Sequence, residues 1–492
     1  MFPWQKKRTE AVEKRKETKI SKTLKDNVTY LEKQFLYGTN FDFNSRELRG
    51  PTGKYHVFYY STIIDIKQLN EHIVAPLLET KKENSLAQII TVGNISSVKN
   101  MDEVEKGLNA GSVLIFKDGV NQGFEAKIDD YKHRAVEKAE NEKTVKGPKE
   151  SFTESVSTNI SIFRKHIPSK DLIVENVSVG TRPAMSVSLI YARDLVNDKV
   201  LANLKQRIKD ITVDNIRNIE ILEQFIEERP ASLFPTMLYT ERPDNAANYI
   251  SEGFIAVIMD NSSSCLIAPA TIWSFFHSPE DRYLRWAFGN FSRLIRAAAY
   301  FITLFVSATY VAVTNYHSQL IPIDLLLAIA SSRERVPLPI VFEILLMEIA
   351  FELIREAGVR IPSPLGPTIG IVGALILGQA AVEANIVSPI VVIIVALSGL
   401  SSFTAANYNI NHTLRISRFL FILAASFYGL LSLLGAILVW VGYVVSIKSF
   451  GVSYFSPASP MNRSPRDTFL RMILKKEKWR PGFINPKDWD KY

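Results

Sequence analysis

The chain has 492 residues, of which 47% are hydrophobic and 22% are charged, and its formal net charge is +8. This length exceeds that of an ordinary single domain and predicts two or three folding units. A single cysteine, Cys265, excludes an intramolecular disulfide framework and the paired cysteines of zinc or redox sites. The basic excess lies mainly at the two ends, since no lysine occurs between Arg293 and Ile447. No nucleic-acid recognition motif accompanies this charge, so we expect contact with membrane lipid and not with nucleic acid.

The first half of the sequence predicts a tail followed by two soluble α/β subdomains. Residues 1–27 are charged and poor in large apolar side chains, which is typical of a basic flexible tail, and no apolar signal segment follows them. Residues 28–146 and residues 147–280 each alternate strand and helix patterns, and a linker is predicted around Glu140 to Ser151. In the second subdomain this alternation favours a mostly parallel or mixed sheet.

Residues 281–447 predict a helical membrane domain. The apolar stretches long enough to cross a bilayer are residues 294–314, 366–384, 389–406 and 419–447. The last of them is long enough to tilt, or to kink near Gly429 or Gly435. Arginines before the first stretch predict that it starts on the cytoplasmic side. Four crossings then leave the N-terminal region and the basic tail of residues 448–492 in the cytoplasm.

Two arginines conflict with this topology. With four crossings, Arg415 and Arg418 would precede the last span on the outer side, against the usual distribution of positive charge. A fifth crossing, by residues 339–357, would bring both arginines inside. With five crossings, however, the basic tail would lie on the outer side, unless the last apolar stretch forms a hairpin. We favour four crossings, with residues 339–357 as a membrane-associated helix.

Carboxylates interrupt the apolar helix predicted over residues 339–357. Glu348, Glu352 and Glu356 lie one helical turn apart on one face, and Glu343 precedes them. An interfacial amphipathic helix whose acidic face touches water would explain this pattern. A helix lining a water-filled pathway for cations would explain it equally well. Both interpretations stay open, and Glu343, Glu348 and Glu352 are candidate residues of a cation pathway.

Other unusual residues follow this helix. Glu383 ends an apolar run and is a further candidate for the cation pathway, unless the span stops before it. Small side chains recur at four-residue spacing, which is typical of close helix packing in membranes; they are Gly366, Gly370, Ala374 and Gly378. Residues that favour bends lie between the two segments, and they form a candidate hinge: Gly358, Pro362, Pro364 and Pro367.

Enzyme signatures are missing from the sequence. It contains no GxxxxGK phosphate loop, no HExxH metal motif and no GxSxG nucleophile elbow. Its seven histidines are scattered and show no metal-ligand spacing. We therefore expect neither catalytic activity nor a cofactor or metal ion.

Several long motifs follow one another in a specific order between Gly147 and Gly482. They are "GPKESFTESVSTNISIFRKHI", "FPTMLYTERPDNAANYISEGFIAVIMD", "APATIWSFFHSPED", "SSRERVPLPIVFEILLMEIAFELIREAGVRIPSPLGPTIGIVGALILGQAAVEANIVSP" and "RDTFLRMILKKEKWRPG". In this order they resemble the A subunits of the GerA family of bacterial spore germinant receptors. The sequence departs from the usual family pattern at Arg282, where a tyrosine is common, and at "DNSSS" after Met259.

This resemblance implies an integral protein of the inner membrane of a bacterial endospore. Its partners would be a transporter-like B subunit, which carries most of the nutrient binding, and a lipoprotein C subunit. The A subunit would form a homo-oligomer around a pathway through which nutrients trigger the release of monovalent cations. A non-conducting scaffold that docks the B subunit is the main alternative. An ion-coupled carrier is less favoured, because the sequence contains no internal repeat.

Overall fold

The computed structural model of the chain describes residues 19–81, 85–131, 142, 144–182, 184–360, 366–462, 468 and 470–491. The side chains of residues 359–360, 366–372 and 374–375 lie outside this description. Within the described residues, an α/β region with two sheets precedes a helical region. This order confirms the predicted α/β part followed by a helical part.

The first α/β unit is an antiparallel sheet with helices on both faces. Its elements are α1 (Leu24–Gln34), β1 (Phe43–Gly50), β2 (Gly53–Tyr60), α2 (Ile66–Gln68), a π-helical turn (Leu69–Val74), α3 (Ala75–Glu79), α4 (Leu86–Ile89), β3 (Ile95–Val98), α5 (Met101–Asn109), β4 (Ser112–Lys117) and β5 (Gly123–Lys127). The described strands follow the order β1-β2-β4-β5-β3. Strand β2 is buried on both faces, since Tyr55 and Val57 pack into one core and Phe58 and Tyr60 into the other.

The fold begins earlier in the chain than predicted. Ile20 and Leu24 are buried, and both belong to the same core as Leu31 of α1, which packs on the sheet. Asn27 is buried as well, and its Nδ2 donates to the carbonyl oxygen of Ser21 at 2.7 Å. Residues 20–27 of the predicted tail therefore belong to the folded unit, and residues 1–18 lie outside the described residues.

The second α/β unit repeats this architecture. Its elements are α6 (Val156–His166), β6 (Leu172–Val179), β7 (Met185–Ala192), α7 (Asp198–Lys209), α8 (Ile219–Ile226), β8 (Leu238–Thr240), α9 (Pro243–Ile250), β9 (Ile255–Met259) and β10 (Cys265–Ala268). The described strands follow the order β6-β7-β9-β10-β8. Helices α6 and α9 cover one face of this sheet, and α7 and α8 cover the other.

The prediction of a mostly parallel or mixed sheet is wrong. Each strand pairing in the described residues of the second unit is antiparallel. Two tight turns produce this arrangement: Gly180, with φ of +81°, follows β6, and Asn261, with φ of +62°, follows β9. Strand β10 then lies between β9 and β8. The sequence analysis missed β10, which is only four residues long, and the pattern of strands and helices did not give the direction in which β6 and β7 pair.

The helical region follows the second unit. Its elements are a 3₁₀ turn (Ile272–Phe276), α10 (Glu280–Tyr283), α11 (Trp286–Tyr316), a 3₁₀ turn (Ser318–Leu320), α12 (Ile323–Arg333), α13 (Ile340–Arg360), α14 (Gly366–Glu383), α15 (Pro389–Ser402), α16 (Tyr408–Tyr428) and α17 (Leu430–Ser446). Among the described helices, α11 is long and apolar enough to cross a membrane by length and composition, and it contains the predicted span 294–314. Helices α15 and α17 are apolar but shorter.

The predicted span 419–447 is not a single helix. It breaks at Gly429, whose φ of +65° ends α16 and begins α17. A Cβ atom at this position would lie 2.7 Å from Cβ of Tyr316, so glycine fits both the backbone conformation and the available space. Trp440 Nε1 donates to Ser417 Oγ at 3.1 Å across the two helices. The last apolar stretch is therefore a helical hairpin, the arrangement that the fifth-crossing alternative required.

The ends of the helices show how each one runs relative to the second α/β unit. We call the end of the helical bundle beside this unit the near end, and the opposite end the far end. Helix α16 starts at the near end, where Asn407 Nδ2 donates to the carbonyl oxygen of Tyr239 at 3.4 Å. Helix α11 finishes at the far end, where the hydroxyl of Tyr316 donates to the carbonyl oxygen of Ser426 at 2.5 Å. Helix α17 then returns to the near end.

Helices α13 and α15 run antiparallel to each other. The carboxylate of Glu343, at the start of α13, accepts from the backbone N–H of Ser388, just before α15, at 2.9 Å. Arg355, near the end of α13, donates to Ser402 Oγ at the end of α15 at 2.5 Å. Because Ser402 lies shortly before the near-end start of α16, α13 runs from the far end to the near end. Helix α14 leads back to the far end before α15.

The segment after α17 packs onto the second unit. It contains β11 (Lys448–Ser449), β12 (Val452–Ser453) and 3₁₀ turns at Leu474–Lys476 and Gly482–Ile484. Ser449 Oγ donates to the carbonyl oxygen of Thr236 at 2.6 Å and accepts from the N–H of Ala270 at 3.0 Å. Tyr454 and Ile484 are buried in the core of the second unit. The predicted basic tail of residues 448–492 is thus, where it is described, an integral part of the fold.

A buried ion pair joins the two α/β units. Arg164 of α6 donates from Nη2 to Asp42 Oδ1 at 2.7 Å and from Nε to Asp42 Oδ2 at 3.0 Å. It also donates to Asn40 Oδ1 at 3.0 Å, and its guanidinium lies 4.0 Å from the centre of the Tyr60 ring. Arg164 and Asp42 are 1% and 0% exposed, so each charge depends on the other for compensation.

Asp42→Ala should reduce the free energy of unfolding by about 3–5 kcal/mol, because it leaves the buried guanidinium of Arg164 without its counter-ion. Thermal denaturation of the full chain in detergent, followed by near-ultraviolet circular dichroism, measures this loss. Glu47→Ala is the matched control, since Glu47 pairs with Arg49 on the surface at 3.0 Å, where water screens the interaction, and the variant should unfold like the wild type. Equal losses in the two variants would contradict the proposed importance of the buried pair.

Candidate functional site

The carboxylates of α13 point into the helical bundle. Glu343 and Glu348 are both 0% exposed. Ser307 of α11 donates from Oγ to Glu348 Oε1 at 2.7 Å. An ionised carboxylate in such surroundings needs a counter-charge as well as hydrogen bonds.

Arginines of α16 supply that counter-charge. Arg418 is 1% exposed, and its Nη2 lies 3.0 Å from Glu348 Oε2 and 2.8 Å from Glu352 Oε1. Its Nη1 donates to Ser398 Oγ of α15 at 2.8 Å. Arg415 binds the other side of Glu352 through both Nε and Nη2. These charges form one network that joins α13, α15 and α16.

Arg355 extends this network toward the near end. It contacts Ser402 of α15 through Nη2, and its guanidinium stacks over the ring of Phe403 at 4.4 Å. Arg355, Arg415 and Arg418 thus surround the carboxylates of Glu348 and Glu352. The two carboxylates are compensated within a single chain.

The remaining candidate carboxylates lie apart from this network. Glu343 forms an ion pair of 3.1 Å with Arg333 at the end of α12, in addition to its bond with Ser388. Glu383 is exposed at the end of α14 and accepts from Gln379 Nε2 at 2.9 Å. The structure therefore brings Glu348 and Glu352 together, places Glu343 in a second ion pair, and leaves Glu383 on the surface.

The sequence analysis did not recognise the role of the arginines in α16. Arg415 and Arg418 entered it as a conflict in topology, although they occur in an apolar region that also contains unexplained carboxylates. Arg415 and Arg418 are three residues apart, and Glu348 and Glu352 are four residues apart. Both spacings place the two side chains on one face of a helix, so the two pairs can face each other. Two arginines and two glutamates, each pair at helical spacing in an apolar stretch, were the signal in the sequence that could have revealed the ion pairs between α13 and α16.

The predicted packing stripe and hinge are described only in part. Gly378 lies where α14 meets α15, since a Cβ atom there would be 3.2 Å from Cγ1 of Val392. The surroundings of Gly366, Gly370 and Ala374 lie outside the described residues, although all three belong to α14. Gly358 does not end α13, which continues to Arg360. Pro362 and Pro364 lie outside the described residues, and Pro367 belongs to α14.

A second buried charge cluster fixes the start of the bundle. Asp281 is 1% exposed and accepts from Arg293 Nε at 3.1 Å and from Arg296 Nη1 at 3.0 Å. Burial by itself raises the pKa of this carboxyl, but hydrogen bonds and charge from the arginines outweigh burial and hold the pKa below its usual range. Arg471 of the C-terminal segment donates to the carbonyl oxygen of Asp281 at 2.7 Å. The sequence analysis missed Asp281, whose motif "SPED" precedes the first long apolar helix.

Arg418→Met should destabilise the bundle by about 3–5 kcal/mol, because it leaves two carboxylates without their shared counter-ion. Adding Glu348→Gln in the Arg418→Met background should recover part of this loss, and the interaction energy between the two changes should be about 0.5–3 kcal/mol. Thermal denaturation in detergent, applied to the wild type and the three variants, measures the interaction. Glu334→Gln, at an exposed position of the same region, is the control. Additive effects would contradict the network.

Comparison with known proteins relates these features to a family. The sequence profile described as "Bacillus/Clostridium GerA spore germination protein" matches residues 29–483. "Spore germination protein KA" of Bacillus subtilis (strain 168) is 36% identical, with 97% of this chain and 89% of that protein covered. "Spore germination protein B1" of the same organism is 32% identical, with 95% and 99% covered.

A solved structure is similar over part of the chain. It is the N-terminal domain of the A subunit of the Bacillus megaterium spore germinant receptor GerK3, with 27% sequence identity and a TM-score of 0.41. The similarity covers 52% of this chain and 99% of that domain. The profile match over most of the chain, together with relatives above 30% identity along nearly their whole length, establishes the family. The chain belongs to the GerA family of spore germination proteins.

Proposed function

We propose that the chain is a membrane subunit of a nutrient germinant receptor and triggers spore germination by forming part of a nutrient-gated pathway for monovalent cations. Family membership supports the receptor role, since its relatives carry the names of spore germination proteins. The apolar helix α11 supports association with a membrane. In this proposal the chain has no catalytic activity.

The assembly would contain several copies of this chain. As the resemblance implies, the partners are a transporter-like B subunit and a lipoprotein C subunit, in the inner membrane of the endospore. Nutrient acts by stabilising one of two arrangements of the helices, because a ligand shifts an equilibrium only through different affinities for the two states.

The charge network of α13 and α16 carries the proposal of a cation pathway. Carboxylates attract cations in pores, and burying them in an apolar bundle reduces stability unless they are paired. Glu352 and Glu348 are neutralised by Arg415 and Arg418 in this conformation. We assign this conformation to the closed state. A conducting state requires α13 and α16 to separate at these ion pairs.

The same pairing favours one competing function. Carboxylates that are fully compensated within the chain need no role beyond holding the helices together. Such a role suits a non-conducting scaffold that docks the B subunit. The scaffold proposal requires no separation of α13 from α16. Ion flux distinguishes the two functions.

The directions of the helices support six membrane crossings instead of four. Helices α11, α14 and α16 run from the near end to the far end, and α13, α15 and α17 return. The N-terminal region and the C-terminal segment then lie on one side, as the predicted topology requires. Arg415 lies in the first half of α16 and Arg418 at its midpoint, so with six crossings neither arginine precedes a span on the outer side.

Single-cysteine labelling distinguishes six crossings from four. Tyr408→Cys and Tyr428→Cys introduce thiols at exposed positions of α16, whereas the native Cys265 is buried. With six crossings, a membrane-impermeant thiol reagent added outside spheroplasts should label Tyr428→Cys strongly and Tyr408→Cys only after permeabilisation. Labelling of Tyr408→Cys from outside would restore the four-crossing topology.

Cation flux from liposomes that contain the three-subunit receptor tests the pathway. Glu348→Gln and Glu352→Gln should each change the nutrient-dependent flux of potassium by about ten-fold or more, since each removes a charge that the pathway would use. Glu334→Gln, which carries the same change at an exposed position, should leave the flux unaltered. Size-exclusion chromatography confirms that each variant still assembles. Unchanged flux in both network variants would favour the scaffold.

A further inference from the structure

A cavity lies where the second α/β unit, the helical bundle and the C-terminal segment meet. Its volume is about 90 Å³. The residues that line it come from each of these parts: Asn248 and Tyr249 of α9, Arg293 of α11, Asn407 before α16 and Phe483 of the C-terminal segment. Since one water molecule needs roughly 10–15 Å³ by the same kind of measure, the cavity has room for a small organic molecule. A molecule bound here would touch every part of the junction.

One carboxylate in the wall of this cavity, that of Glu142, has no ion-pair partner among the described residues, although the charge of Arg242 acts on it from farther away. Glu142 Oε2 accepts from Thr240 Oγ1 at 2.6 Å and from the N–H of Glu241 at 3.1 Å, and both donors are neutral. Among the residues that the structure describes, no cation forms an ion pair with Glu142. The nearby Arg242 is paired with Asp244 at 2.8 Å.

The other charged groups of the wall are already paired. Arg282 binds Glu252 at 2.8 Å, and Arg293 binds Asp281 at 3.1 Å. Burial raises the pKa of Glu142 to about 7, because its surroundings disfavour the ionised form. A cation that entered the cavity would therefore find one carboxylate whose charge it could neutralise.

Aromatic rings form the apolar part of the wall. The ring centres of Tyr249 and Phe254 are 4.9 Å apart, and those of Phe254 and Phe483 are 6.2 Å apart. Trp273 lines the cavity as well. Aromatic faces attract organic cations, and a carboxylate forms short, charge-assisted hydrogen bonds with an ammonium group. The wall thus combines the two elements that ammonium recognition requires.

We propose that this cavity binds a small organic ammonium ion whose charge is neutralised by Glu142. The bound ion would stabilise the contact between the second unit, the bundle and the C-terminal segment, since it adds contacts to each of them. The proposed site is separate from the charge network of α13 and α16, so it holds whether or not that network conducts cations.

Binding of simple probes to the purified full chain in detergent tests this site. Saturation-transfer NMR should show saturable binding of ethylammonium, while ethanol, a neutral molecule of the same size, should not compete. Glu142→Gln should weaken ethylammonium binding by about ten-fold or more, because it removes a charge-assisted hydrogen bond. Glu150→Gln, a more accessible glutamate of the same segment that pairs with Lys165, should bind like the wild type.

A second variant tests the site independently, in case Glu142→Gln does not fold. Asn248 is exposed at the wall of the cavity, so Asn248→Trp should fill the opening without removing any charge, and it should also weaken ethylammonium binding. Circular dichroism shows whether each variant is folded. The proposal is overturned if the wild type shows no saturable binding of ethylammonium, if ethanol competes equally well, or if both folded variants bind like the wild type.

Discussion

The arrangement of the helical bundle depends on the need to compensate carboxylates that are buried in an apolar environment. Glu348 cannot remain ionised at 0% exposure without a counter-ion, and Arg418, at 1% exposure, has the same need. Their pairing fixes α13 against α16, and Ser307 and Ser398 fix the network against α11 and α15. These four helices therefore present their polar side chains at the same depth of the bundle.

The same constraint operates at two junctions of the α/β region, one between its two units and one between the second unit and the helical bundle. Arg164 and Asp42 compensate each other between the two α/β units, and Asp281 is compensated by arginines at the start of α11. The first pair links residues 122 positions apart, whereas Asp281 and its arginines are 12 and 15 positions apart. The C-terminal segment completes the second junction, since Arg471 contacts Asp281 and Ile484 enters the core of the second unit. The bundle, the C-terminal segment and the second α/β unit are thus joined by contiguous contacts.

Gly429 shows how one residue decides between two topologies. Its positive φ and its close approach to Tyr316 turn one long apolar stretch into two antiparallel helices. The sequence analysis named Gly429 as a possible kink, and hydropathy alone cannot separate a kinked span from a hairpin. Contacts such as that between Trp440 and Ser417 decide the matter, because they occur only when the two helices lie side by side.

The sequence by itself determined the division into α/β and helical parts, the apolar stretch of α11, and the family, since local periodicity and long ordered motifs carry that information. It also singled out the carboxylates of α13. It did not reveal that Glu352 pairs with Arg418, because the two residues are 66 positions apart. Nor did it reveal the antiparallel order of the strands or the packing of the C-terminal segment. Only the tertiary structure decided these features, because they depend on which distant groups meet when charge and apolar surface are buried.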